Sequence, residues 1–237
     1  MRSAELINQF MIHKFHEARA SLRKHLLDSG ATHHMFYGPT TDRYWNEPFK
    51  VVAVNMEPYG YEKMGVFDVT RDDLIDWIYD AGDTGTKTTR YTFAVLHVAL
   101  ACFQKKIAAS REMLSAAFAN DDMIEDTLDR TIYYNIRAQS NSVKPQDYAA
   151  ISAVGHSDTG RYIWAEIMAL RPDVVFVGGH AGLAAVNQLL SPQGPIGFRN
   201  SAVVDGCLIY SIPHPSRPAY DAWCLAINNT LNWMNEK

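Results

Sequence analysis

Residues 173–190 read DVVFVGGHAGLAAVNQLL. Asp173 to Val177 is a continuous β-branched apolar run, the pattern of a short strand buried on both faces. Gly178-Gly179 closes it, and a helix over Ala181–Leu190 opens directly from that turn. A strand turned tightly into a helix is half of a βαβ unit, and the chain repeats the pattern elsewhere. Lys50–Asn55 (KVVAVN), Thr131–Ile136 (TIYYNI) and Cys207–Ile212 (CLIYSI) read as three further strands. Helical spacing runs over residues 1–28, through most of 71–128, over Pro145–Leu170 with a glycine-containing break, and from about Tyr220 to Asn235. The 71–128 stretch carries one expected loop, AGDTGTKTT (81–89), and a helix break at Ala119-Asn120-Asp121. Asp28–Pro48, with Gly30, Gly38, Pro39 and Pro48, reads as loop. Strands alternating with helices predict an α/β fold: three layers, α/β/α, around a central, mainly parallel four-stranded sheet. One domain over 1–237 is expected, with an N-terminal helix and a helical insertion at about 71–128.

The chain has 237 residues, 47% of them hydrophobic and 20% charged, with a net charge of −4. That composition supports a sizeable core. The net charge argues mildly against a protein that coats nucleic acid but leaves room for a local basic face. No apolar run is long enough to span a bilayer, and the first 27 residues lack the apolar stretch of a signal peptide, so a cytoplasmic protein is expected. Cys102, Cys207 and Cys224 form no close pair, which favours reduced thiols over a disulfide framework. His33-His34 has no partner at ligand spacing, so neither metal nor cofactor is expected. The sequence GHSDTG (155–160) does not fit the Gly-x-Ser-x-Gly nucleophile elbow of an α/β hydrolase. Neither a phosphate loop nor the dinucleotide glycine pattern occurs.

In open parallel sheets ligands bind beyond the carboxyl ends of the strands. Four segments sit there: Asn55-Met56-Glu57-Pro58-Tyr59-Gly60, Tyr134-Asn135-Ile136, Gly178-Gly179-His180-Ala181 and His214-Pro215-Ser216. A carboxylate, an amide, a glycine turn and an imidazole would share one rim. In order and content these segments resemble the uracil-DNA glycosylase superfamily. Its best-known branch has Gly-Gln-Asp-Pro-Tyr-His where this chain has Asn55 to Gly60. It has a strand-end asparagine where this chain has Asn135, a glycine-serine turn where this chain has Gly178-Gly179, and His-Pro-Ser-Pro where this chain has His214 to Arg217. The resemblance covers roughly Lys50 to Tyr220, interrupted by the helical stretch at 71–128.

The resemblance implies a DNA glycosylase-like fold and a monofunctional enzyme that flips out a uracil-like or modified pyrimidine and hydrolyses its N-glycosidic bond. Breaking that bond leaves positive charge on the sugar and negative charge on the departing base, so catalysis needs a partner for each. Glu57 is the candidate for the sugar side and for the attacking water, and His214 for donating to the base oxygen. Asn135 would read the base edge, in either of two orientations that match uracil or cytosine. Phe67 would stack on the base, with Tyr59 and Met56 lining its pocket. Gly178, Gly179, His180, Pro215, Ser216, Arg217 and Arg137 are the candidates for gripping DNA, single- or double-stranded. A monomer is expected.

Departures from the family pattern bear on the substrate. Glu57 stands for aspartate, Gly60 for histidine, Gly179 for serine and Arg217 for proline. A bulky modified cytosine of phage DNA, removed in antiviral defence, is the alternative substrate. A non-catalytic binder of modified or flipped bases is the alternative of a different class.

Overall fold

All four runs read as strands lie side by side in one sheet. The structure is a computed structural model, and it describes residues 3–31, 33–56, 65–79, 84–137, 148–190, 195–215 and 218–236. In chain order the elements are α1 (Ser3–Asp28), β1 (His33–Phe36), α2 (Arg43–Asn46), β2 (Val51–Asn55), β3 (Gly65–Asp68), α3 (Arg71–Tyr79), α4 (Thr84–Lys105), α5 (Arg111–Phe118), α6 (Asp121–Arg130), β4 (Ile132–Asn135), α7 (Tyr148–Val154), α8 (Asp158–Ala169), β5 (Val174–Gly178), α9 (Gly179–Leu190), β6 (Ser201–Val204), β7 (Cys207–Ile212) and α10 (Tyr220–Glu236).

The central sheet has the order β4-β2-β5-β7-β6, with β4, β2, β5 and β7 parallel. The fold is therefore the expected three-layer α/β/α arrangement, with one strand more than expected. That strand, β6, runs antiparallel on the edge and joins β7 through Asp205-Gly206, both at positive φ (50° and 83°), the backbone that tight hairpins favour. A second, two-stranded parallel sheet pairs β1 with β3, so part of the 28–48 segment read as loop is strand. Residues 84–89, the second part of the expected AGDTGTKTT loop, already belong to α4. The break expected near residue 120 is a true helix start: the Asn120 side chain caps α6 by accepting from the Met123 N–H.

Strand alternation divides the sheet into two apolar faces. Tyr134 points toward α8, where its hydroxyl meets Glu166, and Val177 on the same face lies against Gly182 of α9. Tyr133 points the other way and stacks on Phe93 of α4, while Tyr210 on that face bonds Asn229 of α10. Helix α4 of the 71–128 stretch thus forms part of one outer layer. Among the described residues no helix is long and apolar enough to cross a membrane.

One charged cluster ties α1 to the sheet. Glu166, fully buried, accepts from Arg19 Nε and from the Tyr134 hydroxyl, both at 2.5 Å. Arg19 also donates to the Tyr37 carbonyl and pairs with Asp68, and its guanidinium lies over Phe15. Burial pushes the Glu166 carboxyl up, against the pull of Arg19 and Tyr134. Removing one member leaves an uncompensated charge in the interior, which costs about 3–5 kcal/mol. Glu166→Ala should therefore lower the unfolding free energy by about that amount in urea titration. A loss below about 1 kcal/mol would mean that solvent already screens the cluster.

Candidate active site

The ends of β2, β5 and β7 meet because two residues there have no side chain. A Cβ on Gly178 would fall on Asn55 Oδ1 and 3.3 Å from Pro215 Cδ. A Cβ on Gly179 would lie 3.1 Å from His214 Cβ and 3.3 Å from Met56 Sδ. Gly179 also sits at φ +79°, a left-handed conformation that costs other residues roughly 1–2 kcal/mol. The glycine pair lets β5 turn straight into α9, whose first backbone N–H groups have no intrahelical acceptor. Met56, Gly178, Gly179, His214 and Pro215 are thus brought together. Beyond β2 the pairing continues, with Ile136 and Arg137 N–H donating to the carbonyls of Asn55 and Met56, each at 2.9 Å.

His214 is half-buried, and burial lowers its pKa to about 4, so its imidazole is uncharged at neutral pH. An uncharged ring still offers one N–H donor.

Asn135 is fully buried on the sheet face covered by α4 and stands in register with Asn55. Its Nδ2 donates to the Tyr37 hydroxyl at 2.8 Å, and its Oδ1 accepts from the Tyr133 hydroxyl at 3.3 Å. An amide can make up to four hydrogen bonds, so these two engage one donor and one acceptor position. Asn55 Nδ2 donates to Thr92 Oγ1 at 3.0 Å, and that hydroxyl donates to the Thr88 carbonyl at 2.7 Å. Burial raises the Tyr133 pKa despite hydrogen bonding with Asn135, Thr89 and Asn55. The two strand-end amides therefore belong to one buried polar cluster shared with α4.

The remaining candidates are more dispersed. Phe67 is half-buried in the small sheet, paired in register with Met35. His180 is exposed and stacks on Phe198 at 3.9 Å, with Arg199 5.5 Å from the same ring. Arg137 is half-buried beside Met56. His34 is buried beside Phe36, and its Nε2 has no hydrogen-bond partner among the described residues. Glu57, Tyr59, Gly60, Ser216 and Arg217 lie outside the described residues.

Tyr37, Thr92, Tyr133 and Phe198 were not singled out from the sequence. Tyr133 was within reach, since it lies two residues before Asn135 and must share its face. Tyr37 and Thr92 come from segments read as loop and as inserted helix, where spacing carries no register with the strands.

Two measurements follow from this geometry. Gly178→Ala forces a methyl onto an amide that Thr92 already holds, so it should destabilise the fold by about 1–3 kcal/mol; a neutral effect would show that the strand ends part freely. His34, like His214, is held at about pKa 4 by burial, against about 6.5 in an unfolded chain. The unfolded state therefore takes up protons first. Stability is full above about pH 6.5 and falls as pH drops toward 4, with a slope on the order of 1.4 kcal/mol per pH unit per histidine at most. Urea midpoints at pH 7 and pH 5 should show this loss, reduced in His34→Gln; identical pH dependence in that variant would contradict it. No family model matches the chain, and no curated protein matches it.

Proposed function

We propose that the protein is a monofunctional DNA glycosylase, acting as a cytoplasmic monomer on a flipped uracil-like or modified pyrimidine. The observation that carries this reading is the contact between the ends of β2, β5 and β7, with His214 uncharged and packed on Gly179. The reaction needs a hydrogen-bond donor where negative charge develops on the departing base. A neutral imidazole at a glycine turn suits that task without repelling the oxocarbenium-like sugar. Glu57 follows Met56 directly in the chain and is assigned the sugar side and the water. Asn135 is assigned the base edge. The first turn of α9, with His180 and the Phe198–Arg199 pair beside it, is assigned to the phosphate backbone.

The test is incubation with DNAs carrying uracil, other deaminated bases, or hydroxymethylated or glucosylated cytosine, followed by alkali to reveal abasic sites. Base release is expected from at least one of these. Loss of one preorganised donor typically lowers turnover by about 10²–10³, so His214→Ala should fall in that range. Glu57→Gln and Asn135→Ala should also fall strongly while remaining folded. DNA binding with no release from any substrate would replace this reading with that of a non-catalytic base binder.

A further inference from the structure

We infer that His180, backed by the Phe198 ring and flanked by Arg199, is a stacking platform for the unpaired base next to the extruded nucleotide. The platform gives the protein a sequence-tolerant hold on single-stranded DNA. The inference rests on the DNA-binding part of the reading proposed above, and adds a base contact to the phosphate track. Two segments build the platform. His180 is the second residue of α9, so its Cα lies about 3.8 Å from that of Gly179, the residue packed on His214. Its ring is exposed, and Phe198 stacks on it with ring centroids 3.9 Å apart and planes 24° from parallel. Phe198 comes from a β-turn over residues 197–200, closed by the Asn200 N–H donating to the Gly197 carbonyl at 3.0 Å. The turn is pinned on both sides. Before it, the Asn187 side chain of α9 accepts from the Ile196 N–H at 2.8 Å and donates to the Ile196 carbonyl at 3.0 Å. After it, the Asn200 carbonyl accepts from the Ser211 N–H of β7 at 2.9 Å. A half-buried phenylalanine anchored this way fixes the plane in which the imidazole lies.

An exposed aromatic ring with one face covered offers its π surface on the other. Every base has such a face, so a contact of this kind tolerates any sequence. Arg199 supplies the charge that a strand requires. It stands at a corner of the turn at φ +60°, a conformation that turns usually give to glycine or asparagine. Its guanidinium lies 5.5 Å from the Phe198 ring centroid. Arg43, Arg71, Arg90, Arg111, Arg130 and Arg161 each pair with a carboxylate, whereas Arg199 makes no ion pair among the described residues. Its charge is therefore not already neutralised by the protein. An exposed cation beside an aromatic stack suits a nucleotide, which carries a phosphate and a flat base on one unit. A base within a duplex is already stacked and paired, so the platform serves an unpaired strand.

The experiment uses single-stranded oligonucleotides with a tetrahydrofuran abasic analogue, which has no base to release, and 2-aminopurine on one side of it or the other. Stacking on the platform should quench the 2-aminopurine fluorescence at one of the two positions. His180→Gln keeps a hydrogen-bonding side chain and removes the ring. It should abolish the quenching and weaken binding by about 5- to 150-fold, the equivalent of roughly 1–3 kcal/mol for one stacked base. His180→Tyr restores a ring and should restore both. Both substitutions alter an exposed side chain, so the fold is retained. Arg199→Ala should lower the slope of log K against log salt by about 0.7, the loss of one phosphate contact on a single strand. Binding to the same sequence as a duplex should change less than about twofold in His180→Gln. Quenching at neither position overturns the inference. So does an equal loss of single-strand and duplex affinity in His180→Gln, which marks a phosphate contact instead. Base release, assayed in parallel on the DNAs named above, separates the two readings. Release without quenching leaves the glycosylase and removes the platform; quenching without release leaves the platform on a base-binding protein.

Discussion

The distance between the carboxyl ends of β2 and β5 governs the rest of this molecule. At Gly178 there is no room for a methyl group, because the Asn55 amide fills the space, and at Gly179 the backbone turns through a left-handed conformation beside His214 and Met56. Close approach there does two things. It starts α9 without a linker, and it draws the segment after β7 onto the same rim. Asn55 cannot yield cheaply, since its NH₂ is held by Thr92 and Thr92 by a main-chain carbonyl. The glycine pair and the amide network are therefore one constraint seen from two sides.

Burying this much polar surface is expensive unless each group is paired. Around β4 the polar groups are paired in two networks on opposite faces of that strand. Tyr133 and Asn135 face α4 and join the amide cluster, whereas Tyr134 faces α8 and joins Glu166 and Arg19. Tyr37 links the two, with its hydroxyl on Asn135 and its carbonyl on Arg19. The edge of β4 is thereby fixed from both sides, and α1 contributes to the site without reaching it.

The parallel core was legible in the sequence because buried parallel strands are continuous apolar runs bounded by turn formers. KVVAVN, TIYYNI, DVVFV and CLIYSI each meet that description, and each lies in the sheet within a residue of the expected bounds. β6 was also signalled, since Asp205-Gly206 between SAVV and CLIYSI is a hairpin dipeptide, but an exposed four-residue edge strand has little apolar pattern of its own. β1 was hidden because HHMF is held by pairing with β3 rather than by its own periodicity. At the site, the glycine turn and the His-Pro segment were readable as strand-end punctuation. The inward turn of Asn135 was not, because it depends on Tyr37, which is far away in sequence and in no recognisable element.

The most direct measurement is the structure of the protein bound to DNA carrying a 2′-fluorinated deoxyuridine, whose glycosidic bond resists cleavage because fluorine disfavours positive charge on the sugar. The expected result is a base rotated out of the stack, its edge hydrogen-bonded to Asn135, its carbonyl oxygen facing His214, and the adjoining phosphates at the first turn of α9. A base left in the helix, or bound on another face while the Asn135 amide stays enclosed by Tyr37 and Tyr133, would contradict it.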